Sequence, residues 1–104
     1  MEIRVSATGN EVARQDIEGI EQDLAKLDRR LNRYKLVTAD VRVSRTQGTP
    51  GYHVVLELSY GRNHLQAKAE APEVRQAARE AREEVLRQIN DRSRRGHSSY
   101  VKHL

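Results

Sequence analysis

The feature that most constrains the fold is an alternation of apolar and polar residues in two adjacent stretches, 52–60 and 65–70. Every second residue of both stretches is apolar: Tyr52, Val54, Leu56, Leu58, Tyr60, Leu65, Ala67 and Ala69. Because successive side chains of a strand point to opposite faces, each stretch predicts a strand with one buried face. Residues 61–64, which include Gly61 and Asn63, favour a turn. The two stretches therefore predict a β-hairpin.

The register of this hairpin is predicted from the requirement that apolar faces meet. A pairing of Tyr60 with Leu65 satisfies that requirement. It also places Glu57 opposite Lys68 on the outer face, where opposite charges on neighbouring strands attract each other. We therefore expect an ion pair between Glu57 and Lys68.

Two further strands and one helix are predicted before the hairpin. Residues 2–7 and 37–44 alternate in the same way, and each predicts a strand. Between them, residues 12–34 carry apolar residues at spacings of three and four, which predicts one amphipathic helix. The apolar stripe comprises Ile17, Ile20, Leu24, Leu27, Leu31 and Tyr34. Gly19 within this helix costs about 1 kcal/mol relative to alanine.

A second helix is predicted from Pro72, because proline suits the first turn of a helix. Its apolar stripe comprises Val74, Ala77, Ala78, Ala81, Val85 and Ile89. The small alanines would let the helix pack close to a sheet. Gly96 is predicted to end the helix, so residues 1–95 are expected to form one domain and residues 96–104 a flexible C-terminal tail.

The element order is β-α-β-β-β-α, and each element has one apolar face. This order predicts an α+β fold of two layers, with two helices packed on one face of a four-stranded sheet. The 104 residues fit a single domain and include no cysteine, which excludes disulfides and thiolate chemistry. No stretch has the length of a signal peptide's apolar core or a membrane span, so we expect a soluble, cytoplasmic protein without a membrane partner.

The net charge of +4 favours an anionic partner, and the cations cluster on the two helices. The late part of the first helix carries Lys26, Arg29, Arg30 and Arg33. At about 100° per residue these bases fall in one arc opposite the apolar stripe. They could complement the helix dipole, since acidic residues occupy the start of the same helix, or they could form a phosphate-binding patch.

In the second helix, Arg75, Arg79 and Arg82 fall on one edge beside the apolar stripe. Arginines at this spacing repel one another mildly, which points to an anionic ligand, since arginine binds phosphate through two parallel hydrogen bonds. A solvated face with salt bridges explains the same pattern equally well.

Catalysis and metal binding are not expected. The four histidines lack metal-site spacing, and no phosphate-binding glycine loop or nucleophile motif is present. We therefore expect no enzyme activity, no cofactor and no small-molecule substrate. The predicted open face of the sheet carries Thr38, Arg42, His53, Glu57 and Lys68 rather than aromatic residues, so base stacking of the RNA-recognition-motif type is also not expected.

Three stretches resemble the bacterial ribosome hibernation-promoting factors, the ribosome-associated inhibitor (protein Y) family. The first is Leu24-Ala25-Lys26-Leu27-Asp28, and the second is the alternating strand from Leu65 to Ala71. The third is Ala77-Ala78 followed by Val85-Leu86-Arg87-Gln88-Ile89. The resemblance covers about residues 2–95. The chain is similar either to the short members of the family or to the N-terminal domain of its long members.

The resemblance implies the same β-α-β-β-β-α fold and a protein that binds the small ribosomal subunit in response to stress. Family members occupy the channel for mRNA and tRNA, with basic residues of both helices against rRNA, and thereby inhibit translation. Lys26 and Arg87 match basic positions of the family, and Arg92, Arg94 and Arg95 match its basic tail in part. We expect a monomer in isolation.

Two other functions remain open. Glu84 stands where the family usually has lysine, and the first helix begins with acidic residues. Both observations fit a protein-interaction module that keeps the fold without binding ribosomes. A general binder of structured RNA, acting through phosphate contacts and shape, is the third possibility.

Overall fold

A computed structural model describes residues 1–7, 12–46, 48 and 50–102, with side chains up to residue 92. The strands are β1 (Glu2–Ala7), β2 (Val37–Arg45), β3 (Tyr52–Tyr60) and β4 (Asn63–Ala71). The helices are α1 (Arg14–Ala25), α2 (Asp28–Leu31) and α3 (Val74–Lys102).

The four strands form one mixed sheet in the order β1-β2-β3-β4. β1 runs parallel to β2, and the other neighbours are antiparallel. α1 packs against β1, α3 packs against β3 and β4, and the two helices contact each other. The predicted α+β fold is confirmed, with the short α2 as an additional turn of helix.

The core lies between this sheet and the helices. Its α3 stripe is buried as predicted, and Ala77 and Ala81 are fully buried where the helix meets the sheet. From the first helical region, Ile20, Leu24, Leu27 and Leu31 are buried as well. The helices that the structure describes include none long and apolar enough to cross a membrane.

The predicted hairpin register is wrong by two residues. Leu58, not Tyr60, lies opposite Leu65. The strands extend to Tyr60 and Asn63, so the turn contains only two residues. Its first residue, Gly61, has a φ of +57°, a conformation that glycine adopts without steric cost. A shift of two residues preserves which residues face the core, and for that reason alternation alone could not detect it.

The predicted ion pair between Glu57 and Lys68 is wrong for the same reason. Lys68 lies opposite Val55, whereas Glu57 lies opposite Gln66. A guanidinium nitrogen of Arg42 on β2 donates to Glu57 Oε1 at 2.7 Å, and Gln66 Nε2 donates to the same oxygen at 3.1 Å. Glu57 is therefore balanced by a neighbour on the other side of its strand.

The predicted single helix over residues 12–34 is interrupted. The N–H groups of Lys26 and Leu27 donate to carbonyl oxygens only three residues earlier, at 3.3 and 2.9 Å. This tighter turn ends α1 at Ala25, and α2 begins at Asp28. The buried side of the segment nevertheless continues through Leu31.

The bounds of α3 also differ from the prediction. The N–H of Ala77 donates to the carbonyl of Glu73 at 3.1 Å, so the helix begins at Val74 and Pro72 lies outside it. Gly96 does not end the helix, which continues to Lys102. The penalty for glycine inside a helix is only about 1 kcal/mol. The division of the chain at residue 95 stays a prediction.

Candidate nucleic-acid interface

Within the part of the chain whose side chains are described, four arginines converge on an open cleft at one end of the domain. Arg29, Arg30 and Arg33 come from α2 and the turn after it, and Arg92 comes from α3. The cleft has a volume of about 500 Å³. Its other lining residues are Leu31, Tyr34, Tyr60, Asn63 and Ile89. We call this site the arginine cleft.

Two tyrosines form a fixed wall of the arginine cleft. The rings of Tyr34 and Tyr60 meet edge to face, with their centroids 5.0 Å apart. The guanidinium of Arg33 lies over the Tyr34 ring, 5.5 Å from its centroid. Burial raises the pKa of the Tyr60 hydroxyl, although the positive charge of Arg92 acts in the opposite direction. Tyr60 therefore remains neutral near pH 7.

Two of the arginines are held by neutral side-chain amides. A guanidinium nitrogen of Arg30 donates to Oδ1 of Asn90, which brings α2 against α3. A guanidinium nitrogen of Arg92 donates to Oδ1 of Asn63 at 2.9 Å, which brings α3 against the hairpin turn. An amide oxygen accepts a hydrogen bond but carries no net charge. Both arginines are therefore oriented without being neutralised.

The arginine cleft carries uncompensated positive charge. Among the residues with described side chains, no aspartate or glutamate lines it. Among the residues that the structure describes, none of the four arginines forms an ion pair. Four nearby like charges repel one another, and an anion bound between them would relieve that repulsion.

A second, smaller cleft lies beside the first, between the α1–α2 turn and α3. Its volume is about 200 Å³. Its lining comprises Lys26, Leu27, Arg30, Arg82, Leu86 and Asn90. We call it the interhelical seam. The Nε–H of Arg82 is buried there without a hydrogen-bond partner. Because Arg30 lines both clefts, positive charge continues from one into the other.

Arg75 fastens α3 to α1. Its guanidinium lies over Gly19, where an added Cβ would stand 2.5 Å from Arg75 Cζ and 2.7 Å from its Nε. The same group lies 3.9 Å from a carboxylate oxygen of Asp23 on α1. The glycine, which is unfavourable for a helix by itself, thus provides room for an arginine of the neighbouring helix.

Arg87 has its charge balanced by carboxylates. Its Nε donates to Glu84 at 3.0 Å, and its Nη1 donates to Asp91 at 2.7 Å. Hydrogen bonds from Arg87 and Gln88 lower the pKa of Glu84 from 4.5 to about 2. The interaction with Glu84 also raises the pKa of Arg87. Because two carboxylates surround this guanidinium, it offers little charge to an external phosphate.

In the structure, the four cations predicted on one arc of the first helix line two different clefts. All four are exposed, but the interruption after Ala25 breaks their single arc. Arg29 and Arg33 line the arginine cleft, Lys26 lines the seam, and Arg30 lines both. Lys26 Nζ also lies 3.5 Å from a carboxylate oxygen of Asp23.

The predicted edge of Arg75, Arg79 and Arg82 has three different environments. Arg75 covers Gly19, Arg82 is half-buried in the seam, and Arg79 is exposed without an ion pair in the described part of the chain. The side chains of Arg94 and Arg95 lie outside the described residues. The role of every one of these cations in binding RNA stays a prediction.

Sequence reasoning missed Asn63 and Asn90. Each meets its arginine across a long separation in sequence, 60 residues for Asn90 and 29 for Asn63. Asn63 was predicted only as a turn residue and Asn90 belongs to no local motif, so only the packing of α2, α3 and the hairpin turn identifies them as partners of arginines.

The open face of the sheet has mixed charge by comparison. His53 Nδ1 lies 3.2 Å from Glu70, and His64 Nε2 lies 3.8 Å from Glu57. Arg42 is also paired with Glu57, whereas Lys68 is exposed without an ion pair in the described part of the chain, so this face carries groups of both signs. Among the described residues, no group of three or more histidines, cysteines or carboxylates could hold a metal ion.

Solved structures with the same fold include two bacterial proteins. The protein Y N-terminal domain from Thermus thermophilus matches with a TM-score of 0.70 and 18% identity, covering 86% of this chain and 96% of that chain. A ribosomal subunit interface protein from Coxiella burnetii matches with a TM-score of 0.70 and 12% identity, covering 89% and 98%.

The comparison with curated proteins found no match. The family model described as "Sigma 54 modulation protein / S30EA ribosomal protein" matches residues 2–97, which is most of the chain. Together with the β-α-β-β-β-α fold, this match means that the chain belongs to the sigma 54 modulation protein / S30EA ribosomal protein family.

Proposed function

We propose that this protein is a ribosome-associated inhibitor of translation that acts in the cytoplasm during ribosome hibernation. It would bind the small ribosomal subunit through rRNA and block the channel for mRNA and tRNA. Membership of a family described as including an S30EA ribosomal protein supports an association with the ribosome. The ribosomal subunit interface protein from Coxiella burnetii has the same fold, which also supports such an association.

The observation that carries the proposal is the uncompensated charge of the arginine cleft. RNA presents closely spaced phosphates, and arginine binds them through paired hydrogen bonds. The adjoining seam adds Lys26 and Arg82 to the same surface. In contrast, Arg42 on the sheet face and Arg87 on α3 are balanced by carboxylates. The interface is therefore expected at the end of the domain where α2 meets α3.

Inhibition on this account requires no chemical step. The domain is elongated, with principal extents of 53 × 29 × 17 Å, and the long α3 stiffens it. A rigid body of this shape, held at one end by phosphate contacts, would exclude mRNA and tRNA from the space it fills. Each phosphate contact releases counterions, so affinity should fall steeply with salt.

Sedimentation with purified ribosomal subunits tests the proposal. The protein would be centrifuged through a sucrose cushion with small or large subunits at low and moderate salt. We expect stoichiometric, salt-sensitive recovery with small subunits. An absence of recovery at both salt concentrations would contradict the proposal.

A pair of charge-matched variants tests the surface. Arg29→Glu with Arg33→Glu reverses two exposed charges of the arginine cleft and should abolish recovery with subunits. Arg14→Glu with Lys68→Glu makes the same change in net charge at exposed positions outside both clefts. This control should bind nearly as well as the unaltered protein. Equal loss in both variants would show that only net charge matters.

Competition separates ribosome binding from general RNA binding. If a naked hairpin RNA displaced the protein from small subunits at equal nucleotide concentration, the structured-RNA alternative would replace the proposal. We expect little displacement, because the subunit also provides a channel that fits the shape of the domain.

A further inference from the structure

We propose that the arginine cleft is a discrete site for adjacent phosphate groups, in which Asn63 and Asn90 are positioning residues. Asn90 would hold Arg30, and Asn63 would hold Arg92, in orientations that favour phosphate. The inference deepens the proposed function, on which its RNA measurement rests. The phosphates could belong to an RNA strand or to a free oligophosphate, and both sources present the same chemistry.

The partners of Arg30 and Arg92 are asparagine amides rather than carboxylates, and this supports the inference. Elsewhere the chain orients arginines with carboxylates, as Arg87 with Glu84 and Asp91. For Arg30 and Arg92 of the arginine cleft, the accepting oxygens belong to asparagines instead, Asn90 in the seam and Asn63 in the cleft. A carboxylate at either position would fix the arginine equally well but cancel its charge. The amides therefore preserve the positive charge that a phosphate site requires.

The hydrogen-bonding capacity of the cleft supports more than one phosphate. Each guanidinium has five N–H donors, so one bond to asparagine leaves most of the donors of Arg30 and Arg92 available. Arg29 and Arg33 contribute two more charges on the same cleft. The volume of about 500 Å³ lies within the range of about 300–1,000 Å³ that small-molecule sites occupy.

Fixing the arginines before binding favours affinity. A free arginine loses rotational freedom when it binds a ligand, whereas one already held by hydrogen bonds loses less. Arg33 is similarly restrained by its position over Tyr34. The cleft is thus partly organised for an anion in the absence of one.

The first experiment titrates the isolated protein with pyrophosphate at constant ionic strength, followed by calorimetry and by NMR of the cleft residues. Asn63→Asp and Asn90→Asp replace an amide by a carboxylate of the same shape, so the fold should persist. We expect each to weaken pyrophosphate binding by about tenfold, because a charge-assisted contact is lost. The control is Asn32→Asp, an exposed position at the C-terminal end of α2 beside Arg33, with no hydrogen bond to an arginine among the described residues. It should weaken binding by less than about twofold, the effect of a screened surface charge.

The second experiment measures the salt dependence of binding to small subunits. Neutralising one phosphate-binding arginine should reduce the slope of log K against log salt concentration by about 0.7. We expect that reduction for each aspartate variant. Asn63→Ala and Asn90→Ala should weaken binding with little change in slope, because the arginine stays charged but is no longer held. A purely structural role of the asparagines would change thermal unfolding and leave the slope unaltered.

The outcomes separate the site from the proposed function. Pyrophosphate binding and salt slopes that are the same for the aspartate variants and Asn32→Asp would overturn the inference. Asparagine-dependent salt slopes without pyrophosphate binding would support a site that takes phosphates only within an RNA strand. Asparagine-dependent pyrophosphate binding in a protein that fails to bind ribosomes would support the site and contradict the proposed function.

Discussion

Replacing Gly19 by alanine tests how Arg75 joins the two helices. In the middle of a helix, alanine is favoured over glycine by about 1 kcal/mol. The added Cβ, however, would lie 2.5 Å from Cζ of Arg75, so the guanidinium must move. That group is the end of a flexible side chain that is 45% exposed, so it can move into solvent at the expense of its contact with Asp23.

The two effects nearly offset each other in the free energy of unfolding. Asp23 is only 15% exposed but keeps its contact with Lys26, so losing the half-exposed Arg75 should cost about as much as losing a surface ion pair, about 0.2–1 kcal/mol. Gly19→Ala should therefore stabilise the protein by less than about 0.8 kcal/mol, the difference between the helix gain and the weakest ion-pair loss. In the Arg75→Ala variant, no guanidinium lies over Gly19. Gly19→Ala should then raise the free energy of unfolding by the whole helix preference of about 1 kcal/mol.

Urea unfolding of the four proteins in this double-mutant cycle measures the coupling. The expected result is a larger gain from Gly19→Ala in the background that lacks Arg75. If Gly19→Ala destabilised the protein by more than about 1 kcal/mol in both backgrounds, crowding by the main chain of α3 would be responsible. The assignment of Gly19 as the space for Arg75 would then be wrong.

Three further predictions concern α3 and the core. Arg87→Ala should raise the pKa of Glu84 from about 2 towards 4.5, measured by NMR titration of its carboxyl carbon. Because that pKa is lowered in the folded protein, the contribution of Glu84 to stability should be present above pH 4.5 and disappear towards pH 2; a variant with an unchanged pKa would contradict this. Leu58→Ala, at a fully buried position, should lower the free energy of unfolding by about 2–5 kcal/mol, measured by chemical unfolding. A loss below about 1 kcal/mol would contradict the assignment of Leu58 to the core. Ala81→Leu should cost about 1–3 kcal/mol by forcing α3 away from the sheet, and no loss of stability would show that space exists there.

Alternation and helical spacing were sufficient to predict the fold. The strand pattern identified which side chains face the core, and the structure confirms those faces in β3 and β4. The hairpin register could not follow from alternation, since a shift of two residues leaves every face unchanged. The two-residue turn at Gly61 sets the register, and its length depends on backbone geometry rather than on hydrophobic pattern.

The candidate site was predictable only in part. Helical projection correctly found exposed cations at Arg29, Arg30 and Arg33, but it could not predict the tighter turn that separates Lys26 from them. Nor could it predict that Arg92 would lie beside them. A linear pattern gives the direction of a side chain from its own helix and contains nothing about contacts with another element.

The salt dependence of binding to small ribosomal subunits tests the central claim most directly. Arg29→Gln combined with Arg33→Gln removes two uncompensated charges from the arginine cleft, whereas Arg87→Gln removes one that carboxylates already balance. The account predicts that the double variant reduces the slope of log K against log salt by about 1.4. It also predicts that Arg87→Gln leaves the slope nearly unchanged. A reduction with Arg87→Gln, and none with the double variant, would contradict it and place the RNA contact on the outer face of α3.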